Sequence, residues 1–377
     1  MKRGLISFLA ILLLCMSVFC QPVSAAIEVS TSAQSHVLYC ADNQQILACK
    51  NENTPMGMAS TTKIMTALIT LEYAKKQNKI VEFTQQMCAE GSSMYLKAGD
   101  KVRLYDLAAG MMTVSGNDAA NAAAIAIAGS AEKFAAKMND YAKRIGMKNT
   151  NFANPSGLPD DSHYSSAYDM ALLMTYAMKN SDFATLVAQK SITVSFVNPP
   201  DMEVTYYNHN KLLSTYKYCV GGKTGYTRAA GRCLVTCSQY DGMRLVAVTL
   251  NDRQDWDDHK KLYDYGFENY APLVSKGDAA KYNLPVIGSD LKSIGVSEGV
   301  GEVSVITRKD KQLIRREVFI RPFVFAPVSR GDKVGKVIYT LDGEVIKENY
   351  LIAENSAQPV KVSFFRRFMH RLFGNWV

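Results

Sequence analysis

Three short segments hold the side chains that could do chemistry: Ser60-Thr61-Thr62-Lys63, Ser115-Gly116-Asn117 and Lys223-Thr224-Gly225. A serine hydroxyl is a weak nucleophile at neutral pH and needs a base. Ser60 and Lys63 stand three apart where an apolar-periodic segment begins, so on a helix they share a face one turn apart. A lysine becomes a base when burial or a second positive charge destabilises its ammonium, and Lys223 could supply that charge. A helix start adds a positive field where an oxyanion would develop. Ser115, on a loop before an alanine-rich helix, could relay a proton, and Asn117 offers a donor and an acceptor to a substrate amide. Lys223 and Thr224 can hold a carboxylate. They end a strand that follows Gly221-Gly222, glycines expected to let a substrate backbone lie along the strand edge. Each segment alone is common. Together they read as one site, in which a serine nucleophile is served by lysines instead of a histidine.

The elements that must position these residues follow from periodicity. Residues 36–50 alternate around Asp42-Asn43-Gln44-Gln45, which predicts a hairpin. The Ser60 segment opens a helix with Ile64, Leu68 and Leu71 on one face. Residues 84–210 read as mainly helical with loops, including an alanine-rich stretch at 118–136. Strands return at 217–226, 232–239 and 244–250, and a helix is expected near 257–268 with Asp257 and Asp258 as capping residues. Strands at both ends and helices between them predict an α/β (α+β) fold. One antiparallel sheet is built from both ends, a helical subdomain is inserted, and a cleft lies between the two. From Tyr270 onward short alternating runs appear at 302–307, 317–324 and 334–340, with a tight turn at Leu341-Asp342-Gly343-Glu344. The expected division is a catalytic domain over 26–270, a small β-rich domain over 271–356 and a tail over 357–377.

Composition narrows the setting. In 377 residues, 47% hydrophobic and 21% charged content place the chain among ordinary folded proteins. The net charge of +8 is modest and comes with no nucleic-acid motif, so no nucleic-acid partner is expected. Lys2 and Arg3, the apolar run Leu5 to Phe19 and the small residues Val23-Ser24-Ala25 read as a signal peptide, residues 1–25, cleaved after Ala25. A lipoprotein signal would need a small residue just before Cys15 or Cys20, and Leu14 and Phe19 argue against it. The mature chain is therefore expected outside the cytoplasm. It keeps Cys40, Cys49, Cys88, Cys219, Cys233 and Cys237. Free, mostly buried thiols are the favoured reading over a Cys219–Cys237 bond across a hairpin centred near Arg228. Cys233 and Cys237 lack a second ligand pair, and the five histidines fit no metal motif, so no metal is expected. In the tail, Phe364, Phe365, Phe368, Met369, Leu372, Phe373 and Trp376 recur at helical spacing among Lys361, Arg366, Arg367, His370 and Arg371. That pattern predicts a basic amphipathic helix lying in a membrane interface without spanning it.

The three motifs are the set carried by class A β-lactamases and penicillin-binding proteins, whose middle member is often Ser-Asp-Asn; the glycine at Gly116 is the form of the low-molecular-weight family that the chain resembles. The chain resembles the low-molecular-weight penicillin-binding proteins, the serine-type D-alanyl-D-alanine carboxypeptidases. The resemblance rests on Ala59-Ser60-Thr61-Thr62-Lys63-Ile64-Met65-Thr66-Ala67, Ser115-Gly116-Asn117-Asp118-Ala119, Phe152-Ala153-Asn154-Pro155-Ser156-Gly157-Leu158 and Lys223-Thr224-Gly225-Tyr226-Thr227, and spans residues 30–355. It implies a β-lactamase/transpeptidase-like domain, with Ser60 acylated, Lys63 as general base, Ser115 as proton relay and Asn117 positioning the substrate. Lys223 and Thr224 would bind the terminal carboxylate, and the N–H groups of Ser60 and Tyr226 the oxyanion, beside Gly225. The implied reaction removes the terminal D-alanine from peptidoglycan stem pentapeptides without a cofactor, and β-lactams would acylate the same serine. Some members carry histidine where this chain has Tyr226, which leaves a backbone role there and removes a side-chain one. Arg228, Arg232 and Arg253 are candidates to assist carboxylate binding. A class A β-lactamase would need a glutamate motif that residues 147–170 lack. A D,D-endopeptidase would cut beside the same D-alanine, and a catalytically silent wall-binding protein would have no need of the intact set. The implied location is the outer face of the cytoplasmic membrane, with the membrane surface as partner of the tail.

Overall fold

The computed structural model describes residues 29–273, 282–299 and 304–360. Contacts divide the chain into one unit that runs to Gln239 and includes Arg244–Gly266, and a second made of Tyr240–Met243 and the chain from Phe267. The expected signal peptide and the amphipathic tail beyond residue 360 lie outside the described residues. Residues 357–360, assigned to the tail on sequence, run extended, with Ala357 bridged to Val328 and Pro359 to Ser289.

The first unit is built on a five-stranded sheet. Its strands are β1 (Ser35–Cys40), β2 (Gln45–Lys50), β7 (Cys219–Thr227), β8 (Gly231–Tyr240) and β9 (Met243–Leu250), in the order β2-β1-β9-β8-β7. The pairings β1–β2, β1–β9 and β7–β8 are antiparallel. Both ends of the unit therefore supply strands. Between them lie the helices α1 (Lys63–Lys76), α2 (Leu104–Thr113), α3 (Asn117–Ala128), α4 (Ala131–Ile145), α5 (Ala167–Ala177), α6 (Ser181–Val187) and the single turn α7 (Leu212–Thr215). Val37 and Tyr39 of β1 pack into a core shared with these helices. Leu38, between them, faces the other way, toward Gly266 of α8 (Asp255–Asn269), where an added Cβ would lie 2.9 Å from the leucine. Covered on both faces, β1 is buried at every residue.

Several details differ from the sequence reading. Helix α1 is not one-faced: every residue from Lys63 to Leu71 is buried, because the helix runs through the centre of the unit. The alanine-rich stretch is two helices, parted where Gly129 turns left-handed (φ 85°) and Ser130 Oγ accepts from Lys133 N. Two small antiparallel pairs also lie at the border of and inside the nominally helical region, β3 (Ile80–Glu82) with β4 (Lys101–Arg103) and β5 (Ser191–Ser195) with β6 (Glu203–Tyr207). Asp257 and Asp258 lie inside the first turn of α8 instead of capping it, and Asp258 accepts the backbone N–H of Ser32.

The second unit is β-rich. A six-stranded sheet has the order β14-β16-β17-β12-β11-β15, from β11 (Tyr282–Ile287), β12 (Ser293–Glu298), β14 (Arg315–Ile320), β15 (Val324–Phe325), β16 (Lys333–Leu341) and β17 (Glu344–Ala353). Beside it, β10 (Tyr270–Leu273) pairs with β13 (Ser304–Thr307), which leads into the single turn α9 (Arg308–Lys311). The turn expected at 341–344 joins β16 to β17, and its central residues Asp342 (φ 51°) and Gly343 (φ 87°) are both left-handed, as the tight hairpin turn requires. Among the described residues no helix is long and apolar enough to cross a membrane.

The six described cysteines are free. The β7–β8 hairpin turns about Ala229, not Arg228, so Cys237 faces Gly221, and Cys219, past a bulge between Cys219 and Gly221, faces Ser238. Cys88 is exposed, Cys40, Cys233 and Cys237 are buried, and burial raises the half-buried Cys49 thiol to about 11. A thiol reagent should therefore label Cys88 first in the native mature chain, and all six cysteines after unfolding without reductant. Thiols that appear only after reduction would contradict this arrangement.

Candidate active site

Ser60 stands on a 3-10 turn, Ala59–Thr62, that leads into α1, not on the α-helix itself. Side chains three apart eclipse in such a turn, and the expected meeting occurs: Lys63 Nζ lies 3.0 Å from Ser60 Oγ. The same nitrogen lies 2.6 Å from Asn117 Oδ1 and 2.6 Å from the carbonyl oxygen of Ser156. Those two oxygens can only accept, so they fix two N–H bonds of the lysine. The third contact is with a hydroxyl, which can itself donate. A neutral amine with its two hydrogens on Asn117 and Ser156 turns its lone pair to the Ser60 hydroxyl. That is the arrangement of a base poised to take the serine proton.

Electrostatics favour that neutral form. Lys63 is fully buried, and burial, followed by the nearby Lys223, holds its pKa well below the usual lysine value, with Asp118 opposing. Lys223 is buried as well, and desolvation alone lowers it to about 7. Its Nζ donates to the Thr224 carbonyl at 2.8 Å.

Two loops hold this centre. Phe152 to Leu158 is folded on Asn154, whose Oδ1 accepts from the backbone N–H groups of Ser156, Gly157 and Leu158. The loop is tied to α1 through Thr66 Oγ1, which donates to the Pro155 carbonyl, and through Lys63 on the Ser156 carbonyl. Asp118, at the start of α3, accepts from Met94 N, Leu96 N and Ser93 Oγ, which fixes the segment preceding β4. Asn117 is turned inward: Oδ1 accepts from Lys63 and Nδ2 donates to the Glu90 carbonyl at 2.6 Å. Ser115 beside it is nearly buried and adopts a left-handed backbone (φ 63°), a conformation that costs energy in a residue with a Cβ and is held by its surroundings.

Strand β7 is an edge of the main sheet, so its outer backbone groups are open to an extended peptide. Gly225 lets this strand close on the nucleophile turn: a Cβ there would lie 2.9 Å from Ser60 N. Gly221 and Gly222 serve a different purpose from the one expected. Their missing side chains leave room for Val187 and for the neighbouring strand at Val235 and Thr236, not for a substrate. Tyr226 is 68% exposed and borders the same cleft.

Ser60, Ser115, Thr224, Gly225, Tyr226 and Arg232 line one cleft of about 320 Å³. Lys63, Asn117 and Lys223 are buried behind it. Of the three arginines considered on sequence, Arg232 borders the cleft, where its Nη2 pairs with the buried Asp255 at 2.7 Å. Arg228 and Arg253 are exposed and do not line it. Lys211 and His209 also border the cleft; burial and the nearby Lys223 lower the His209 pKa and favour its neutral ring, so Lys211 and Arg232 are the cations that would attract a carboxylate, with Asp255 paired to Arg232. The sequence reading missed the roles of Asn154, the Ser156 carbonyl, Asp118 and the Arg232–Asp255 pair. An Asn-Pro-Ser-Gly turn is the signal that could have flagged the first two.

A family profile described as D-alanyl-D-alanine carboxypeptidase matches residues 21–254, and one described as the C-terminal domain of penicillin-binding protein 5 matches residues 267–358. D-alanyl-D-alanine carboxypeptidase DacF of Bacillus subtilis is 31% identical over 362 residues, covering 93% of this chain and 91% of its own. DacC of Escherichia coli, with the same described activity, is 31% identical over 373 residues, covering 92% and 91%. Among solved structures, penicillin-binding protein 5 of Haemophilus influenzae superposes with a TM-score of 0.67 at 28% identity, over 88% of this chain and 99% of that one. The DD-transpeptidase of Streptomyces K15 gives 0.60 at 30% identity, over 64% and 99%.

The Lys223 charge is among the causes that lower Lys63. Replacing it in Lys223→Met should move the Lys63 titration midpoint, followed by NMR on labelled lysines, to higher pH. An unchanged or lower midpoint would contradict the coupling between the two amines.

Proposed function

This chain belongs to the D-alanyl-D-alanine carboxypeptidase family, and from that premise we propose that Ser60, Lys63, Ser115 and the β7 edge carry its reaction. The chain is a serine carboxypeptidase and a penicillin-binding protein of that family. The observation that carries the residue assignment is the Lys63 amine, held by two obligate acceptors with its third contact on Ser60 Oγ.

In the proposed sequence a peptide ending in D-alanyl-D-alanine lies along β7, its terminal carboxylate held by Lys223, Thr224 and Arg232. Ser60 Oγ attacks the carbonyl of the penultimate D-alanine while its proton passes to Lys63 Nζ. The resulting oxyanion is held by the backbone N–H groups of Ser60 and Tyr226. Collapse breaks the C–N bond. The proton moves from Lys63 through the Ser115 hydroxyl to the departing amine, and free D-alanine leaves an ester on Ser60. Water then adds to the ester carbonyl and gives up its proton to the same base, releasing the shortened peptide and the serine. Asn117 keeps the Lys63 nitrogen in place, and its remaining N–H is the one a substrate amide would meet. β-Lactams, which imitate the D-alanyl-D-alanine end, would acylate the same serine. The natural substrate is the peptidoglycan stem pentapeptide.

The organisation we propose is a signal peptide over 1–25, a catalytic domain over 26–270, a β-rich domain from 271 that takes in the extended residues 357–360, and a membrane-surface anchor in the rest of the 357–377 tail. The basic and aromatic spacing of the tail supports the last. It places the enzyme outside the cytoplasm, on the outer face of the cytoplasmic membrane.

The mature chain should release D-alanine from diacetyl-L-lysyl-D-alanyl-D-alanine, and Ser60→Ala should lose at least about a thousandfold in kcat. Release that survives in a folded Ser60→Ala protein would overturn the assignment. Arg232→Gln, made together with Asp255→Asn so that no buried charge is stranded, should raise KM about tenfold or more with little change in kcat, as loss of a charge-assisted hydrogen bond to bound substrate would. A fall in kcat at constant KM would remove Arg232 from the carboxylate site.

A further inference from the structure

Beside the nucleophile turn a second set of hydrogen bonds runs toward Ser60 without touching it. His163 is buried. Its Nδ1 accepts from the backbone N–H of Ala153 at 3.0 Å. A backbone N–H can only donate, so Nδ1 carries a lone pair and the single ring proton sits on Nε2. Nε2 lies 2.7 Å from Thr62 Oγ1, and Thr62 Oγ1 lies 2.8 Å from the Ala59 carbonyl oxygen. That carbonyl can only accept, which fixes the direction of the chain: His163 Nε2–H to Thr62 Oγ1–H to Ala59 C=O.

The end of this chain matters because of what shares its peptide plane. The Ala59 carbonyl and the Ser60 N–H belong to one trans peptide unit and point in opposite directions. Holding the carbonyl therefore aims the N–H. The surroundings agree with that geometry on both sides. A Cβ on Gly157 would fall 2.0 Å from the Ala59 oxygen, and one on Gly225 would fall 2.9 Å from the Ser60 nitrogen. The oxygen thus faces the 152–158 loop, and the nitrogen faces the β7 edge and the cleft. Ala59 has φ 47°, a left-handed conformation that a residue with a Cβ adopts only when held there.

We propose that Thr62 and His163 are positioning residues that lock the Ala59–Ser60 peptide plane and so aim the Ser60 N–H at the developing oxyanion. This rests on the Ser60 acylation reading above. The hydrogen bond to the carbonyl also polarises the peptide, which strengthens its N–H as a donor. Burial lowers His163 to about 4, which keeps the ring in its neutral, directional form through the neutral range. Neither residue touches the substrate path, and Thr62, inside the nucleophile motif, has its hydroxyl turned away from the cleft.

The test compares Thr62→Val, Thr62→Ser and His163→Asn in the mature chain. The readouts are kcat and KM for D-alanine release, and affinity for a peptide boronic acid whose tetrahedral adduct presents an oxyanion analogue. Thr62→Val keeps the shape and loses the hydroxyl. Its kcat and boronate affinity should fall together by about ten- to a hundredfold, with KM within about threefold of the parent. Thr62→Ser should restore both. In His163→Asn the amide oxygen can still receive the Ala153 N–H, while the donor to Thr62 is lost. A parallel fall of about three- to tenfold is expected there, and this variant decides the question if Thr62→Val does not fold. Folded variants that keep parental kcat and boronate affinity, or that change KM alone, would overturn the relay. Failure of the underlying reading would look different: the unsubstituted chain itself would release no D-alanine.

Discussion

The burial of one amine organises this site. Lys63 is placed at the start of a helix that runs through the middle of the catalytic unit, without solvent contact. An ammonium there would lose its hydration and lie near a second buried lysine. The protein meets this by giving the nitrogen two oxygen acceptors of its own and leaving the third direction for a hydroxyl. The choice of base follows from that environment, since a lysine in water would stay charged and inert at neutral pH. The inward turn of Asn117, the Asn154-folded loop that presents the Ser156 carbonyl and the Thr66 tie all serve to keep those acceptors where the amine needs them.

The nucleophile turn is held from two sides by backbones that come too close for a side chain. Gly225 brings the sheet edge against the Ser60 nitrogen, and Gly157 brings the loop against the Ala59 oxygen. With the left-handed φ of Ala59, these contacts fix a peptide plane that local preference alone would not select. Ser115 shows the same signature on the opposite wall of the cleft. Of the nine described non-glycine residues with a left-handed backbone, Ala59 and Ser115 flank the proposed chemistry and are buried against the core.

The fold was legible in the sequence where a pattern is local. Strand alternation at both ends of the catalytic unit and the break in character near Tyr270 were enough to predict a sheet made from both ends, a helical insertion and a β-rich second part. The pairing of Ser60 with Lys63 was also legible, because a spacing of three brings the side chains together in a 3-10 turn as in an α-helix. What stayed hidden depends on tertiary contact. The periodicity of α1 gave one face, yet the helix is surrounded on all sides. The β7–β8 hairpin turns one residue later than its alternation suggested, which puts Cys237 opposite Gly221, and a one-residue shift in a turn leaves little mark in alternation. The second acceptor of Lys63 is a backbone carbonyl, which carries no residue identity at all. Three arginines looked alike until Arg232 was seen against a buried aspartate at the cleft.

The proton on Lys63 is the most direct test of this view. A neutron structure of the mature chain, grown at mildly alkaline pH, should show two deuterons on Lys63 Nζ, one directed at Asn117 Oδ1 and one at the Ser156 carbonyl. The Ser60 deuteron should lie on the line toward Nζ. Three deuterons on the nitrogen, with the Ser60 deuteron turned elsewhere, would contradict a neutral lysine poised as the base.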